Sequence, residues 1–154
     1  SENTTAAKLK QPLPHKLQYL SYVPGDVVNV YTGVQAGVEI RYTHPFVVIK
    51  DDREWFVGVP ITNATLDNKG KPKTKSVFEI VLPQGIPQPN SKTWTPRKHS
   101  VIQIDQIRLI DKERIKTSTK KKLDPIYYLK IEEQIYTQYL RKLKIIHERA
   151  LEHI

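Results

Sequence analysis

The sequence predicts an α+β fold: a small antiparallel sheet, curled or closed into a barrel, followed by a C-terminal α-helix. Three observations carry this. Short apolar stretches alternate with polar turns across residues 24–111, as in successive strands. No connection between them holds a helix long enough for a parallel crossover, so the strands are expected to pair antiparallel. After Asp124 the apolar residues recur every four positions instead, as on one face of a helix.

Residues 1–22 are polar and contain two prolines, and they read as an N-terminal extension ahead of one domain spanning 23–154. "PGDVVNVYTG" opens that domain with a Pro24-Gly25 turn. The alternation of Val28 and Val30 with Asn29 and Tyr31 then suits a half-buried strand. "FVVIK" and "WFVGVPI" supply the second and third strands, joined by the hairpin-sized "DDRE". "SVFEIVLP" and "SVIQIDQIRLID" supply the fourth and fifth. Asp124 followed by Pro125 is an N-cap acid with proline at the first helical position. Ile131, Ile135 and Tyr139 form one series along the helix; Tyr136, Leu140 and Lys144 form another, with Leu143 and Ile146 nearby. The stripe is wide enough to cover a sheet face, so the helix is expected to pack on the sheet rather than serve a membrane or partner.

At 154 residues the chain can bury a core without staples. No apolar run approaches the roughly 18 residues that cross a bilayer, and the N-terminal residues lack the apolar stretch of a signal peptide. A cytoplasmic protein without membrane contact is expected. The absence of cysteine excludes disulfides, thiolate metal sites and a cysteine nucleophile. Twenty-five basic residues against sixteen acidic give +9, which favours a polyanionic partner.

Two loops concentrate that charge. "TLDNKGKPKTK" carries Lys69, Lys71, Lys73 and Lys75 on alternate positions. "QGIPQPNSKTWTPRKH" is rich in proline and ends in Arg97, Lys98 and His99. Either also fits a solvated loop. Trp94, near those bases, is expected to be exposed as a stacking platform for a nucleobase.

Familiar catalytic motifs are absent: there is no phosphate-binding glycine loop, no Gly-x-Ser-x-Gly, and no His-Glu-x-x-His. The five histidines show no metal-ligand spacing. Polar groups gather instead at strand ends: Glu39, Arg41 and His44 before the second strand, Thr62 after the third, and Asp105 with Gln106 in the fifth. In an antiparallel sheet such ends can converge on one mouth. Imidazole, guanidinium, carboxylate and hydroxyl together suffice for phosphodiester cleavage by a 2′-hydroxyl, without a metal or other cofactor. Strand ends also carry polar residues as plain surface.

The pattern from Gly25 to Lys144 resembles the MazF/PemK/Kid toxins of bacterial toxin–antitoxin pairs. "PGDVVNV" is similar to their first strand, and "GVEIRYTHPFVVI" to their Gly-x-Glu-x-x-x-x-Arg-Pro stretch with the apolar strand that follows. "VPIT" matches their Pro-x-Thr strand end. "SVIQIDQIRLIDKERI" resembles their Ser-Val-x-x-x-(Asp/Glu)-Gln-(Ile/Val)-Arg-x-Ile-Asp segment and is the most specific match.

The resemblance implies a CcdB/PemK-type fold, an SH3-like barrel with a C-terminal helix, acting as a homodimer with single-stranded RNA bound across the dimer face. It implies a metal-independent, sequence-selective endoribonuclease that leaves 2′,3′-cyclic phosphate and 5′-hydroxyl ends. It further implies a cognate antitoxin in the RNA groove, with DNA engaged only through that antitoxin. Residue by residue, Glu39 falls on the family's loop glutamate, Thr62 on its active-site threonine, Asp105 on its acidic position and Gln106 on the neighbour. His44 stands where the family has arginine, and Gln103 where some relatives have a second. Arginine is always charged, whereas histidine changes charge between pH 5 and 8. Either His44 is an acid or base with Arg41 supplying the fixed charge, or the site is weakened. A binding module without activity and a gyrase-type toxin therefore stay open beside the ribonuclease.

If the lysine loop contacts phosphates, neutralising Lys69, Lys71, Lys73 and Lys75 together weakens RNA binding evenly across sequences and flattens its salt dependence. An unchanged salt slope in titrations at several ionic strengths assigns the loop to solvation.

Overall fold

A computed structural model describes residues 20–34 and 41–153. Six strands form one antiparallel sheet path, β6-β7-β3-β2-β1-β9, with β8 branching from β3. Among the described residues β6 and β9 remain edges, so the sheet is curled but does not close into a barrel. The strands are β1 (Asp26–Val34), β2 (Arg41–Asp51), β3 (Trp55–Asn63), β6 (Glu79–Leu82), β7 (Ser100–Gln103), β8 (Arg108–Asp111) and β9 (Ile115–Lys122). A separate two-residue hairpin, β4 (Thr65–Leu66) with β5 (Pro72–Lys73), follows β3.

Gly25 takes the positive φ of +97° that the opening turn demands. Its N–H donates to the Val48 carbonyl and its own carbonyl accepts from Leu123, which ties the turn to β2 and to the approach of the helix. The first three strands are buried on both faces because their apolar runs serve two clusters. Val27, Val47, Val59 and Ile61 point to one cluster; Val28, Val30, Phe46, Val48 and Phe56 point to the other. The first is covered by the helix and the second by the curl of the sheet, through Ile110, Ile115 and Tyr22.

The expected fifth strand is two strands. A 3-10 turn, Ile104–Gln106, divides it into β7, which pairs with Ile61–Asn63, and β8, which pairs with Trp55–Gly58. The gap falls opposite Val59 and Pro60. Proline offers no N–H to a ladder, and the turn carries the chain past that position. β9 was not expected. Its only buried residue is Ile115, and its outward side chains suit an edge strand.

The helix starts as expected: Asp124 accepts a hydrogen bond from the Ile126 N–H, with Pro125 at the first position. α1 (Pro125–Ile135) runs through a π-helical turn, Tyr136–Leu140, into α2 (Arg141–Glu152). Only part of the expected stripe packs. Ile131 is fully buried, and Ile135 and Tyr139 pack on the core. Tyr136, Leu140, Leu143 and Ile146 are exposed, and α2 has no buried residue. The sheet ends before the helix does, and the π turn rotates the later positions relative to the first turns.

Just before β1, Tyr22 reaches the core while Leu20, Ser21, Val23 and Pro24 around it are exposed. Tyr22 is buried, and beside it lies Lys112, only 1 % exposed. The Lys112 Nζ meets Asp51 Oδ1 at 2.8 Å and donates to the carbonyls of Leu20 at 2.7 Å and Asp52 at 2.6 Å. One ammonium thus joins the chain entering β1, the β2–β3 hairpin and the link from β8 to β9. Burial, then the charges of Asp51 and Asp26, hold the Tyr22 phenol above its usual pKa.

Lys112→Met leaves the Asp51 carboxylate and two carbonyls without their cation. Loss of one partner of a buried pair costs about 3–5 kcal/mol. Urea denaturation followed by circular dichroism checks this; an unchanged midpoint contradicts a structural role for the buried ammonium.

Candidate functional site

β2 and β3 pair from Asp51 and Phe56 only as far as Phe46 and Pro60. Beyond that point β2 continues alongside β1, whereas β3 turns to pair with β7. The two strands therefore part, and a cleft of about 810 Å³ opens between them. Thr43, His44 and Pro45 line one wall; Ile61, Thr62 and Asn63 line the other. Pro45 and Pro60 stand at the divergence, and neither offers a ladder N–H.

The proline-rich loop 83–99 crosses the gap between the edges of the sheet and forms the far side of the cleft. Trp94, Thr95, Pro96, Arg97 and Lys98 line it from this loop, Ser100 from β7, and Thr119 and Lys121 from β9. The loop is strapped to β9: the Trp94 N–H donates to the Lys122 carbonyl, and the Lys122 N–H to the Lys92 carbonyl. At its other end the Gly85 N–H donates to the Pro96 carbonyl, and Ser100 Oγ donates to the Lys98 carbonyl at 2.8 Å.

Five of the residues singled out in the sequence come together here: His44, Thr62, Trp94, Arg97 and Lys98. Trp94 differs from the expected exposed platform. It is half-buried and packs against the main core cluster while lining the cleft, so its position is fixed. Arg97 and Lys98 are exposed. Arg41 begins β2, with its backbone opposite Val34. Glu39 lies outside the described residues.

The remaining candidates lie off the cleft. Asp105 and Gln106 are exposed on the 3-10 turn between β7 and β8. Together with burial, the Asp105 charge raises the pKa of Tyr139 on the helix, so this carboxylate faces the helix side of the molecule. Lys69, Lys71, Lys73 and Lys75 belong to the β4–β5 hairpin and the residues after it, all exposed. Asp67 orders that hairpin, accepting from the backbone N–H of Lys69 at 2.8 Å and of Lys71 at 2.9 Å. It begins two residues past Asn63, so its charge lies along the chain from one cleft wall.

Sequence reasoning missed Thr43, Asn63, Thr119 and Lys121. Asn63 adds a side chain that can both donate and accept, suited to a base edge. Lys121 could have been found only as one member of the run Lys120–Lys122, which read as the approach to the helix.

A cation-bearing cleft with one aromatic wall, set in an open antiparallel sheet with a C-terminal helix, marks out a small α+β protein. The family model for PemK-like, MazF-like toxins of type II toxin–antitoxin systems matches residues 24–139, and the chain belongs to that family. A search of curated proteins finds no match. The match ends at the π-helical turn, so the exposed α2 lies beyond it. Among the described residues no helix is long and apolar enough to cross a membrane.

Proposed function

We propose that this toxin is an endoribonuclease that cuts single-stranded RNA selectively and without a metal, in the cleft between β2 and β3. The observation that carries the reading is the convergence of His44, Thr62, Trp94, Arg97 and Lys98 on one cleft, in a chain of this toxin family. The nucleophile is the substrate's own 2′-hydroxyl. Its oxygen bonds to phosphorus as the bond from phosphorus to the 5′-oxygen breaks. A base takes the 2′ proton, and an acid returns one to the 5′-oxygen. The products are a 2′,3′-cyclic phosphate and a 5′-hydroxyl.

His44 is the cleft's imidazole, placed on the β2 wall as the acid or base of the reaction. The Thr62 hydroxyl, on the opposite wall, hydrogen-bonds a phosphate oxygen. Trp94 stacks on a base, and Arg97 and Lys98 hold flanking phosphates. Asp105 and Gln106, away from the cleft, serve RNA beyond the cut nucleotide in a homodimer whose two copies share the strand. Arg41 and Glu39 act where β1 leads into β2. The partner is a cognate antitoxin that occupies the same cleft and alone contacts DNA. The toxin works in the cytoplasm, where its RNA is.

Incubation with a long single-stranded RNA in EDTA yields fragments with cyclic phosphate and 5′-hydroxyl ends, read by end-specific ligation. His44→Ala lowers the rate about 10²–10⁴-fold, the span of a positioned acid or base. His44→Arg, which supplies charge but no transferable proton, stays as slow as His44→Ala if the imidazole is the acid or base, and recovers activity only if the position acts as a cation. Intact RNA in the unmodified sample contradicts the ribonuclease reading, and full activity in His44→Ala contradicts the role of the imidazole.

Sedimentation equilibrium at micromolar concentration gives about twice the chain mass of 17.9 kDa. A mass of one chain rules out the shared strand.

A further inference from the structure

The cleft has an imidazole where arginine would give a permanent charge, so a fixed cation for the reacting phosphate must come from elsewhere. Arg97 and Lys98 are exposed on a loop, where water weakens each charge. Lys121 is different. It is half-buried in the cleft, whereas its neighbours Lys120 and Lys122 are exposed and line no part of it.

Several features fix Lys121. Its Nζ donates to the Gln88 carbonyl of the loop at 2.8 Å. An ammonium carries three donors, so two N–H bonds remain for a ligand. Its backbone N–H donates to Thr119 Oγ1 at 3.1 Å, and that hydroxyl donates to the Val27 carbonyl at 2.6 Å. Between them Lys120 has φ of +57°, in a bulge where the β1–β9 register shifts. A left-handed lysine costs on the order of 1–2 kcal/mol, and it persists only where the surroundings hold it. Lys122 on the other side is bonded to the loop through both N–H and carbonyl. The edge of the sheet is strained and strapped at the one place that sets a lysine in the cleft.

We propose that Lys121 is the phosphate-binding cation of the reaction. Its ammonium contacts a non-bridging oxygen of the scissile phosphate and offsets the charge that builds there as the 2′-oxygen bonds and the 5′-oxygen leaves. It transfers no proton; that work stays with the acid and base. This rests on the ribonuclease reading and adds a fixed cation to the cleft that holds the His44 imidazole. Held in place beforehand, the ammonium stabilises the transition state without reorganising.

The test compares single-turnover cleavage in EDTA, at saturating protein, for the unmodified chain, Lys121→Met, Lys121→Arg and Lys122→Met. Binding of the same RNA with a 2′-deoxy sugar at the cut nucleotide is measured in parallel. Lys121→Met slows cleavage about 10²–10³-fold, the usual effect of removing one such donor, and weakens binding less than about tenfold. Lys121→Arg restores most of the rate, and Lys122→Met leaves it unchanged. Lys121→Gln, which can still reach the Gln88 carbonyl, replaces the Met variant if that variant melts early. A Lys121 variant that cleaves at full rate, or loses only affinity, overturns the proposal. If the unmodified chain cuts nothing, the ribonuclease reading has failed and the role of Lys121 falls with it.

Discussion

The missing N–H of Pro60 is the constraint on which the rest of the structure turns. Successive N–H groups along a central strand point alternately to its two neighbours, and at this residue of β3 the donor is missing. The β2–β3 ladder ends there, at Phe46, and the opposite partner is broken into β7 and β8 at the same level. β3 therefore changes neighbours at its middle. Its first half is locked between β2 and β8, and its last three residues swing to β7 and open the cleft. Pro45 on β2 adds a second position without a donor at the point of parting. The Pro-x-Thr strand end then has a mechanical meaning: proline parts the strands, and the threonine two residues on lines the opened wall.

An open sheet exposes edges, and here the edges are put to use. The loop that leaves β6 crosses to β9 and bonds its backbone at Lys122, which ties the two edges together without a strand between them. That strap also supplies the tryptophan and bases of the cleft. The far side of the molecule is held by a different device, the Lys112 ammonium among Asp51 and two carbonyls. A buried charge of this kind adds little net stability over apolar packing but costs much when half is removed. It fixes how three segments meet. The cleft is thus built from loop and strand ends on a frame whose rigidity comes from elsewhere.

The frame was legible in the sequence because burial leaves a period. Val28 and Val30, the run Phe46–Val48 and the cap at Asp124 each mark their element. His44 and Thr62 were also legible, since they flank the apolar strands that meet across the cleft. What failed to show was anything set by a partner rather than by a period. β9 is an edge strand with one buried residue, so it carries no apolar alternation. The split of the fifth strand depends on Pro60, more than forty residues earlier. The stripe through Tyr136, Leu140 and Leu143 marks a helix face correctly but cannot tell that the sheet has ended beneath it. Lys121 is one of three lysines in a row, and only the bulge at Lys120 distinguishes it.

The central claim, that RNA occupies the cleft between β2 and β3, is tested most directly by mapping contacts on the intact protein. Backbone and side-chain NMR signals are followed while an RNA oligonucleotide with 2′-deoxy sugars throughout its cut site is added. The account predicts the largest shifts at His44, Thr62, Asn63, Trp94 and Lys121, with smaller ones along the Lys69–Lys75 hairpin. Shifts confined to that hairpin or to α2, with the cleft signals unmoved, would contradict it.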